Sequence, residues 1–594
     1  MKFTNNQELA NIFYEIAYFL EMEGVPFKPY AYEKAAIILE NLEEDIKDIY
    51  QKKGFKGVKA IPGIGESIAK KIEEYLKTGK IKYYEEFKKR YPVDIEELTS
   101  VEGVGPKMVK VLYEKLGITN LKELEEAARE GKIRSLPGFG EKTEQNILQG
   151  ILFLKKSGGR FLLGEVLPLA QEIEKRLKKV KGVKKISVAG SLRRRKETIG
   201  DVDILVVAAK PEAVMEEFVK LPGVIKVWGK GTTKSSIRLE TGIDVDLRVI
   251  PEKSFGSALQ YFTGSKEHNI ALRKIAIDLG LKLNEYGIFK GNKFVAGKTE
   301  EEVYKILKMQ WISPELRENR GEIEAAQKGK LPKIIELEEI KGDLHCHIKW
   351  KGRWDGGANT IEEMAEVAMA IGYEYLGIAS HTKALKIEHG LDERQLKERN
   401  KAIDKINEEL KMRPCLPAGR NERFKILKGC EANILKDGSI DIKDEVLKEL
   451  NYAIAGIHSH FKMSKEEMTE RIIRAMKNPY INIISHPTGR ILKRRDEYQI
   501  DFDKILRAAK ETGTVLEINS YPERLDLNDI NIKKAKEAGV KLIINTDAHH
   551  KDQLRYMGFG VSQARRGWAE KEDVINCWPL KRMLEFFNKK SKRS

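Results

Sequence analysis

In the stretch GSLRRRKETIGDVDILVV, residues 190–207, an arginine-rich loop ends in a glycine and two carboxylates, Asp201 and Asp203, at the head of an apolar run. The run is short and β-branched, which predicts a strand, so side chains alternate and both aspartates share one face. Two carboxylates on one face repel unless a cation lies between them. The segment GIDVDLRVIP (242–251) supplies a third carboxylate, Asp246, with Asp244 two residues before it. On neighbouring strands the three would form a platform for two hard divalent ions, which clamp a triphosphate and activate a primer hydroxyl. Ser191 and Arg194 follow the strand KKISVAG (184–190), in a loop whose hydroxyl, amide and guanidinium groups can hold phosphate oxygens.

A second set of chemically capable residues lies in the other half. Of ten histidines only His268 precedes residue 300, and nine lie between His345 and His550. His345 and His347 stand in DLHCHIKW, Asp547 and His549 in NTDAHH, and His381, Glu431, His458 and His486 fall between them. A His-x-His pair on one strand face is compact enough for a transition metal. A core histidine needs one hydrogen-bond partner, not seven neighbours of ligand type. A bridged metal pair lowers the pKa of a bound water and aims it at phosphorus, which is phosphoester hydrolysis.

These residues need scaffolds. The short apolar runs YLGIAS, FKILKGCEANIL, YAIAGIHSH, INIISHP, TVLEINS and KLIINTDAHH alternate with amphipathic helices, which predicts parallel strands, crossover helices and a barrel. The ligand types stand at the strand ends, where a barrel's C-terminal mouth gathers side chains. Near the N-terminus, IPGIGESIAKKIEEYL (61–76), VEGVGPKMVKVLYEKL (101–116) and LPGFGEKTEQNILQGI (136–151) repeat an apolar residue, a G-x-G turn and a helix. Their glycine pairs, Gly63 and Gly65, Gly103 and Gly105, Gly138 and Gly140, permit tight turns that present free helix N–H groups to a phosphate. Residues 1–155 read as almost entirely helical.

At 594 residues the chain exceeds one core and implies several domains. Its net charge of +17 favours a polyanion, nucleic acid first, although a lysine-rich soluble protein with 34% charged residues would also be basic. Four cysteines (Cys346, Cys415, Cys430, Cys577) form no disulfide framework and fit a reducing compartment. The start MKFTNNQELANIFYEIAYFLEMEG is no signal peptide, and no run of 18 apolar residues occurs, so the expectation is a cytoplasmic protein without membrane contact.

The pattern G-S-x-x-R-x-x-x-x-x-G-D-x-D at 190–203 resembles the nucleotidyltransferase signature, and FGSALQYFTGSKEHNIALRKIA (255–276) with LKLNEYGIF (281–289) resembles the palm-to-thumb passage of family X DNA polymerases. The resemblance implies Asp201, Asp203 and Asp246 as catalytic ligands of Mg²⁺ or Mn²⁺. It implies Ser191 and Arg194 on the incoming triphosphate, Gly264 and Ser265 against the nucleotide, and Tyr261 and Phe262 beside the sugar. Arg248 would orient the third carboxylate, and His268 would contact phosphate or pack. The three G-x-G elements resemble helix-hairpin-helix units that grip the DNA backbone. The first, with KPYAYEKAA (28–36), resembles the lyase domain of DNA polymerase β. That makes Lys71 the Schiff-base lysine, supported by Lys28 and Tyr32, with Ser67 where the family carries a second lysine.

Residues 341–575 resemble the PHP domain, a distorted seven-stranded barrel holding two to three Zn²⁺ or Mn²⁺ ions. The resemblance implies His345, His347, Glu431 and Asp547 on one metal. Glu431, His458 and His486 would hold a second, and Asp355, His381 and His549 a third. Ser380 and Asn433 depart from acidic positions of that family. Arg490, in HPTGR, becomes a phosphate-binding candidate. His389, His460 and His550 have no assigned role, and KMRPCLPAGRNER (411–423) reads as a loop insertion.

The expected architecture is multidomain. A helical lyase-like domain (1–85) and a helical fingers-type domain with two helix-hairpin-helix elements (86–155) precede an α+β nucleotidyltransferase palm (156–255) and thumb (256–322). A linker (323–340) leads to an α/β distorted (β/α)7 PHP barrel (341–594). The expected function is gap filling with dNTPs on gapped or nicked DNA in base excision repair, by a monomer that also acts as a 3′–5′ exonuclease and 3′-end phosphodiesterase or phosphatase. Cleavage at abasic sites is a further possibility of the family. A template-independent nucleotidyltransferase would keep the same aspartates, and a non-catalytic DNA scaffold would keep the hairpins but had no reason to retain both ligand sets.

Overall fold

The computed structural model describes residues 5–591 apart from 41, 43, 44, 62, 100, 102, 157–159, 352, 355 and 413–423. The chain divides into two compact units, residues 1–159 with two short segments from elsewhere, and the remainder. In the first, every element among the described residues is helical. Its core is a continuous set of apolar side chains from Leu9 to Ile151, including Phe13, Phe19, Ile72, Leu98 and Leu112.

The three hairpins share one backbone pattern. Gly63, Gly103 and Gly138 have φ of +89°, +87° and +84°, a conformation only glycine adopts freely. Each turn closes by an i to i+3 bond, from the N–H of Ile64, Val104 or Phe139 to the carbonyl of Ile61, Val101 or Leu136. The second glycine of each pair has another reason to be glycine. Gly65 and Gly105 have ordinary φ values of −76° and −90°, and a Cβ at Gly65, Gly105 or Gly140 would meet no protein atom. These positions leave the N-termini of the helices Glu66–Thr78, Pro106–Leu116 and Glu141–Lys156 bare toward whatever approaches.

The second unit contains a five-stranded sheet and a seven-stranded barrel. The sheet order is Val183–Val188, Asp201–Ala208, Asp244–Val249, Lys234–Leu239, Val224–Lys230. Its middle pair is parallel, with Asp201 opposite Asp244 and Asp203 opposite Asp246, so all four carboxylates share one face. A three-stranded antiparallel sheet (Lys282–Asn284, Gly287–Lys290, Lys293–Ala296) follows, with a core built on Leu272, Ile288, Val303 and Tyr304.

The barrel strands, Gly342–Cys346, Tyr375–His381, Lys425–Asn433, Ile454–Gly456, Ile483–Ile484, Val515–Asn519 and Leu542–Asn545, run parallel in sequence order. A parallel bridge from Cys346 to Ala548 brings the last strand against the first. Leu344, Tyr375, Ala379, Leu427, Tyr452 and Ile543 form a cluster that the C-terminal helix Leu580–Ser591 joins through Met583 and Phe587. The charged join at 323–340 is itself packed: Ile323 and Ala326 belong to the small-sheet core, and Ile335 and Ile340 to the barrel core.

Candidate metal centres and phosphate loop

Gly190 explains how the palm loop reaches the carboxylates. Its φ is +63°, and a Cβ there would lie 2.8 Å from Asp203 Oδ2. The expected loop is in fact a short helix, Gly190–Arg193, capped by Arg194, and no other residue at its start lets the segment bearing Ser191 pass so close to Asp203. Asp201, Asp244 and Asp246 line a cleft of about 630 Å³ together with Arg160, Gly200 and Ser236. Asp244 is taken up by Arg238, whose Nε and Nη2 donate to its two oxygens at 2.8 and 2.7 Å. Asp246 faces Lys234 at 3.2 Å. Arg248, expected to orient Asp246, instead lies with its guanidinium 4.7 Å from the Phe262 ring centre, because that aromatic face covers it.

Burial, then the charges of Asp201 and Asp246, push the Asp203 carboxyl from its ordinary 3.8 up to about 6. A bound divalent cation would remove this repulsion, so the donor set fits one. The folded state therefore holds an extra proton between about pH 4 and pH 6, and stability is lost as pH rises through that window. At about 1.4 kcal/mol per pH unit, ionised Asp203 costs the metal-free fold about 3 kcal/mol at neutral pH. Urea unfolding of Asp203→Asn in a chelator should show a gain of that order at pH 7, vanishing below about pH 4. An unchanged midpoint would refute the strain.

Arg194 donates through Nε to Glu318 at 3.0 Å and through Nη1 to the Thr263 carbonyl. It also packs on Gly264, where a Cβ would lie 3.1 Å from Nη1. The expected nucleotide contacts Arg194 and Gly264 are thus together. Ser265 is buried, and its Oγ accepts the His268 N–H as a helix cap. Tyr261 and Phe262 stack edge to face at 5.3 Å. His268 is a packing residue: Nδ1 meets Glu322 at 2.7 Å and Nε2 meets the Tyr304 hydroxyl at 2.9 Å, fully buried.

At the barrel mouth one carboxylate sits among five imidazoles. Glu431 Oε1 lies 3.0 Å from His486 Nε2 and 3.3 Å from His458 Nε2. Oε2 lies 2.9 Å from His381 Nδ1, 3.3 Å from His345 Nε2 and 3.8 Å from His347 Nε2. Asp547 Oδ1 lies 3.4 Å from His345 Nε2 and 3.3 Å from His347 Nε2. Three compact donor triads result: His345, His347 and Asp547; His381, Glu431 and His458; His347, His381 and His549. The grouping differs from the expected one: His381 lies with Glu431 and His458 as well as with His549, and His347 joins His381 and His549. Glu431 is not in the triad of His345, His347 and Asp547, and His486 is in no triad, although its Nε2 lies 3.0 Å from Glu431. Asp355 lies outside the described residues, as does most of the 411–423 insertion.

The donors fit metal. Both ring nitrogens of His347 and Nε2 of His345 are buried without a hydrogen bond, which is costly unless something else occupies them. The opposite nitrogens are fixed: His345 Nδ1 on Glu517 at 2.7 Å, His458 Nδ1 on Asn433 Oδ1 at 2.9 Å, His549 Nδ1 on the Asp547 carbonyl at 2.8 Å. Such partners set tautomer and ring orientation around a cation. Burial pushes the Glu431 carboxyl up, but His345, His458 and His381 outweigh it and hold it well below the usual range. Burial, then His381 and His549, push His347 well below its ordinary value, the unprotonated state that binds metal.

Three residues at this mouth escaped the sequence reading. Glu517 was legible as a lone carboxylate inside the apolar run TVLEINS. Asp343 braces the first strand, accepting from the His345 N–H at 3.0 Å and the Thr546 N–H at 3.1 Å. Arg524 places Nε 3.7 Å from Asp547, with Nη1 buried and unpartnered. Arg490, expected on phosphate, donates through Nη2 to Glu197 at 2.8 Å and to the Leu525 carbonyl.

In the first unit, Lys71 Nζ lies 4.9 Å from the Tyr83 ring centre, 5.8 Å from that of Tyr32 and 3.4 Å from Ser67 Oγ. Burial, and secondarily the Lys28 charge, lower its pKa, opposed by Glu74.

Helix-hairpin-helix units, a carboxylate-bearing palm and an imidazole-lined parallel barrel define a polymerase β-type nucleotidyltransferase joined to a metal-dependent phosphoesterase barrel. Comparison with known proteins agrees. Family models match for a helix-hairpin-helix domain at residues 4–81, a SAM-like helix-hairpin-helix tandem at 95–151, the DNA polymerase beta palm at 163–229 and the DNA polymerase beta thumb at 258–318. The "DNA polymerase/3′-5′ exonuclease PolX" of Bacillus subtilis (strain 168) is 37% identical over 590 residues, covering 98% of this chain and 100% of that protein. A "Probable phosphatase" of Thermoanaerobacter sp. (strain X514) is 42% identical over 138 residues, 22% of this chain and 54% of its own length. Another "Probable phosphatase", from Acetivibrio thermocellus, is 30% identical over 220 residues, 35% of this chain and 78% of that protein. The chain belongs to the PolX family of DNA polymerase/3′–5′ exonucleases.

Proposed function

We propose that this chain fills short gaps in DNA with dNTPs and processes the 3′ ends it extends, as a cytoplasmic monomer serving base excision repair. The observation that carries the reading is the coexistence, in one chain, of two donor sets of different hardness: three carboxylates beside a phosphate loop, and an imidazole-rich centre around Glu431. No helix among the described residues is long and apolar enough to cross a membrane.

In the palm, Asp201, Asp203 and Asp246 would hold Mg²⁺ or Mn²⁺, which would supply charge neutralisation and a more acidic primer hydroxyl. Ser191 and Arg194 orient the triphosphate, and the turn at Gly264 and Ser265 abuts the sugar, beside Tyr261 and Phe262. Gly63, Gly65, Gly103, Gly105, Gly138 and Gly140 present backbone N–H groups to DNA phosphates without reading sequence, so affinity falls steeply with salt. In the barrel, His345, His347, His381, Glu431, His458, His486, Asp547 and His549, with Asp355 as a further candidate, would hold Zn²⁺ or Mn²⁺, which would supply an activated water. Arg524, whose Nη1 is buried and unpartnered beside Asp547, would meet the scissile phosphate.

Product analysis on gapped DNA tests the reading. With dNTPs, a 3′-hydroxyl primer should be extended to the end of the gap. Without them it should shorten, and a 3′-phosphate end should become extendable. Equal extension of single-stranded ends without a template would favour a template-independent transferase. Lys71 is the lyase candidate, its amine made more nucleophilic by the burial that lowers its pKa. Borohydride should cross-link the protein to DNA bearing a 5′ abasic sugar, and Lys71→Ala should lose the cross-link. Trapping unchanged in that variant would discard Lys71.

A further inference from the structure

The barrel domain reaches into the palm's phosphate loop. The helix Met557–Arg566, which packs beside the last barrel strand, ends in two arginines that meet Glu315 and Glu318, carboxylates that precede the barrel, as well as Asp529 within it. Arg565 Nε donates to Glu315 at 2.8 Å, and Arg565 Nη1 to the Ile335 carbonyl at 2.8 Å. Arg566 is 5% exposed, and Nη1 makes two contacts: 3.0 Å to Glu318 Oε1 and 2.8 Å to the backbone carbonyl of Arg194. Its Nη2 donates to Asp529, which also pairs with Arg320 at 3.0 Å.

Glu318 Oε1 is therefore shared. Arg194 Nε and Arg566 Nη1 each lie 3.0 Å from it. The described contacts of Arg194 occupy Nε and Nη1 and leave Nη2. Two guanidiniums on one carboxylate oxygen mean that Glu318 does not neutralise Arg194 alone, and Asp529 offsets the second cation. The Arg194 main chain is fixed by the same side chain that dilutes its counter-ion.

We propose that Arg566 is a positioning residue for the incoming nucleotide, acting through Arg194 by sharing Glu318 and holding the Arg194 carbonyl. The inference rests on Arg194 as a triphosphate contact. Without Arg566 the Arg194 carbonyl loses its donor, and Glu318, left with Arg194 and with Lys196 3.8 Å from Oε2, neutralises more of Arg194, which then offers less net charge to a polyphosphate. The barrel domain thereby sets the nucleotide affinity of the polymerase centre with a residue that touches neither nucleotide nor the imidazole centre.

The test is steady-state incorporation by the full chain on gapped DNA, with exonuclease activity measured in parallel. Arg566→Met should raise the KM for dNTP about tenfold with kcat changed less than about twofold, and leave exonuclease activity intact. Arg566→Lys, which keeps the charge but cannot bridge both acceptors, should fall between wild type and Arg566→Met. Arg565→Met removes a neighbouring inter-domain anchor without touching Glu318 and should leave KM unchanged. In an Arg194→Ala background, Arg566→Met should add nothing further. The proposal is overturned if Arg566→Met and Arg194→Ala add independently, if Arg565→Met raises KM equally, or if Arg566→Met leaves KM alone while Arg194→Ala raises it. An Arg194→Ala variant with unchanged KM sinks the reading of Arg194 itself, and the proposal with it.

Discussion

Asp201→Ala with Asp203→Ala should lower nucleotide incorporation by about 10⁴-fold or more and leave 3′–5′ exonuclease activity within about twofold. His345→Ala with His347→Ala should do the reverse. The size of the first effect follows from what the aspartates supply. They are two of the three carboxylates that define the cation platform, and no uncharged side chain at those positions replaces the negative charge that gathers divalent ions. Selectivity follows from the separate surroundings of the two centres. The pKa of Asp203 responds to burial, Asp201, Asp246, Arg248 and Lys234, all of them palm groups. That of His345 responds to burial and to Glu517, Asp547 and Glu431, all of them barrel groups. The assay is a 5′-labelled gapped substrate, read for longer products with dNTPs and shorter ones without. Equal loss of both activities in either double variant would mean one shared centre and would end the two-centre account.

The same contacts explain which parts were legible in the sequence. A strand carries its face in its alternation, so Asp201, Asp203 and Asp246 could be placed together before any fold was known, and the parallel register then set Asp203 opposite Asp246. Histidines at successive strand ends were legible because a parallel barrel brings all such ends to one mouth. Arg490 was misread because its partner, Glu197, is 293 residues away and nothing local distinguishes an arginine that clamps a domain from one that binds phosphate. Arg248 shares the strand face of Asp246, as alternation requires. Phe262, brought in by the helix Phe255–Thr263, decides where its guanidinium goes. Arg524, beside Glu523, and Arg566, one of an adjacent arginine pair, carry no local signal that marks a role, and only packing shows what each one faces. The partition of the imidazoles among metals depends on side-chain directions at the ends of seven strands, which periodicity does not encode.

Glu431→Gln should remove at least one equivalent of bound metal per chain and lower exonuclease activity by about 10³-fold, with polymerase activity retained. The carboxylate is 1% exposed and faces five imidazoles, more than any other group at the mouth. Its Oε1 also accepts the Ser485 hydroxyl at 2.8 Å, so the side chain is held in one orientation. Glutamine keeps the shape but not the charge. Its amide nitrogen would turn a donor toward either the His486 and His458 nitrogens or those of His381 and His345, so one of the two sides loses its ligand oxygen whichever way it flips. Asp547→Asn touches fewer imidazoles, His345, His347 and His549, and should cost less metal. The contrast separates a shared ligand from a merely buried one. A glutamate that only satisfied hydrogen bonds would, on amidation, lower thermal stability without changing metal stoichiometry, whereas a bridging ligand changes stoichiometry first. Elemental analysis of the purified variants, beside their melting temperatures, decides between the two, and Glu431→Gln retaining full metal content would remove Glu431 from the centre.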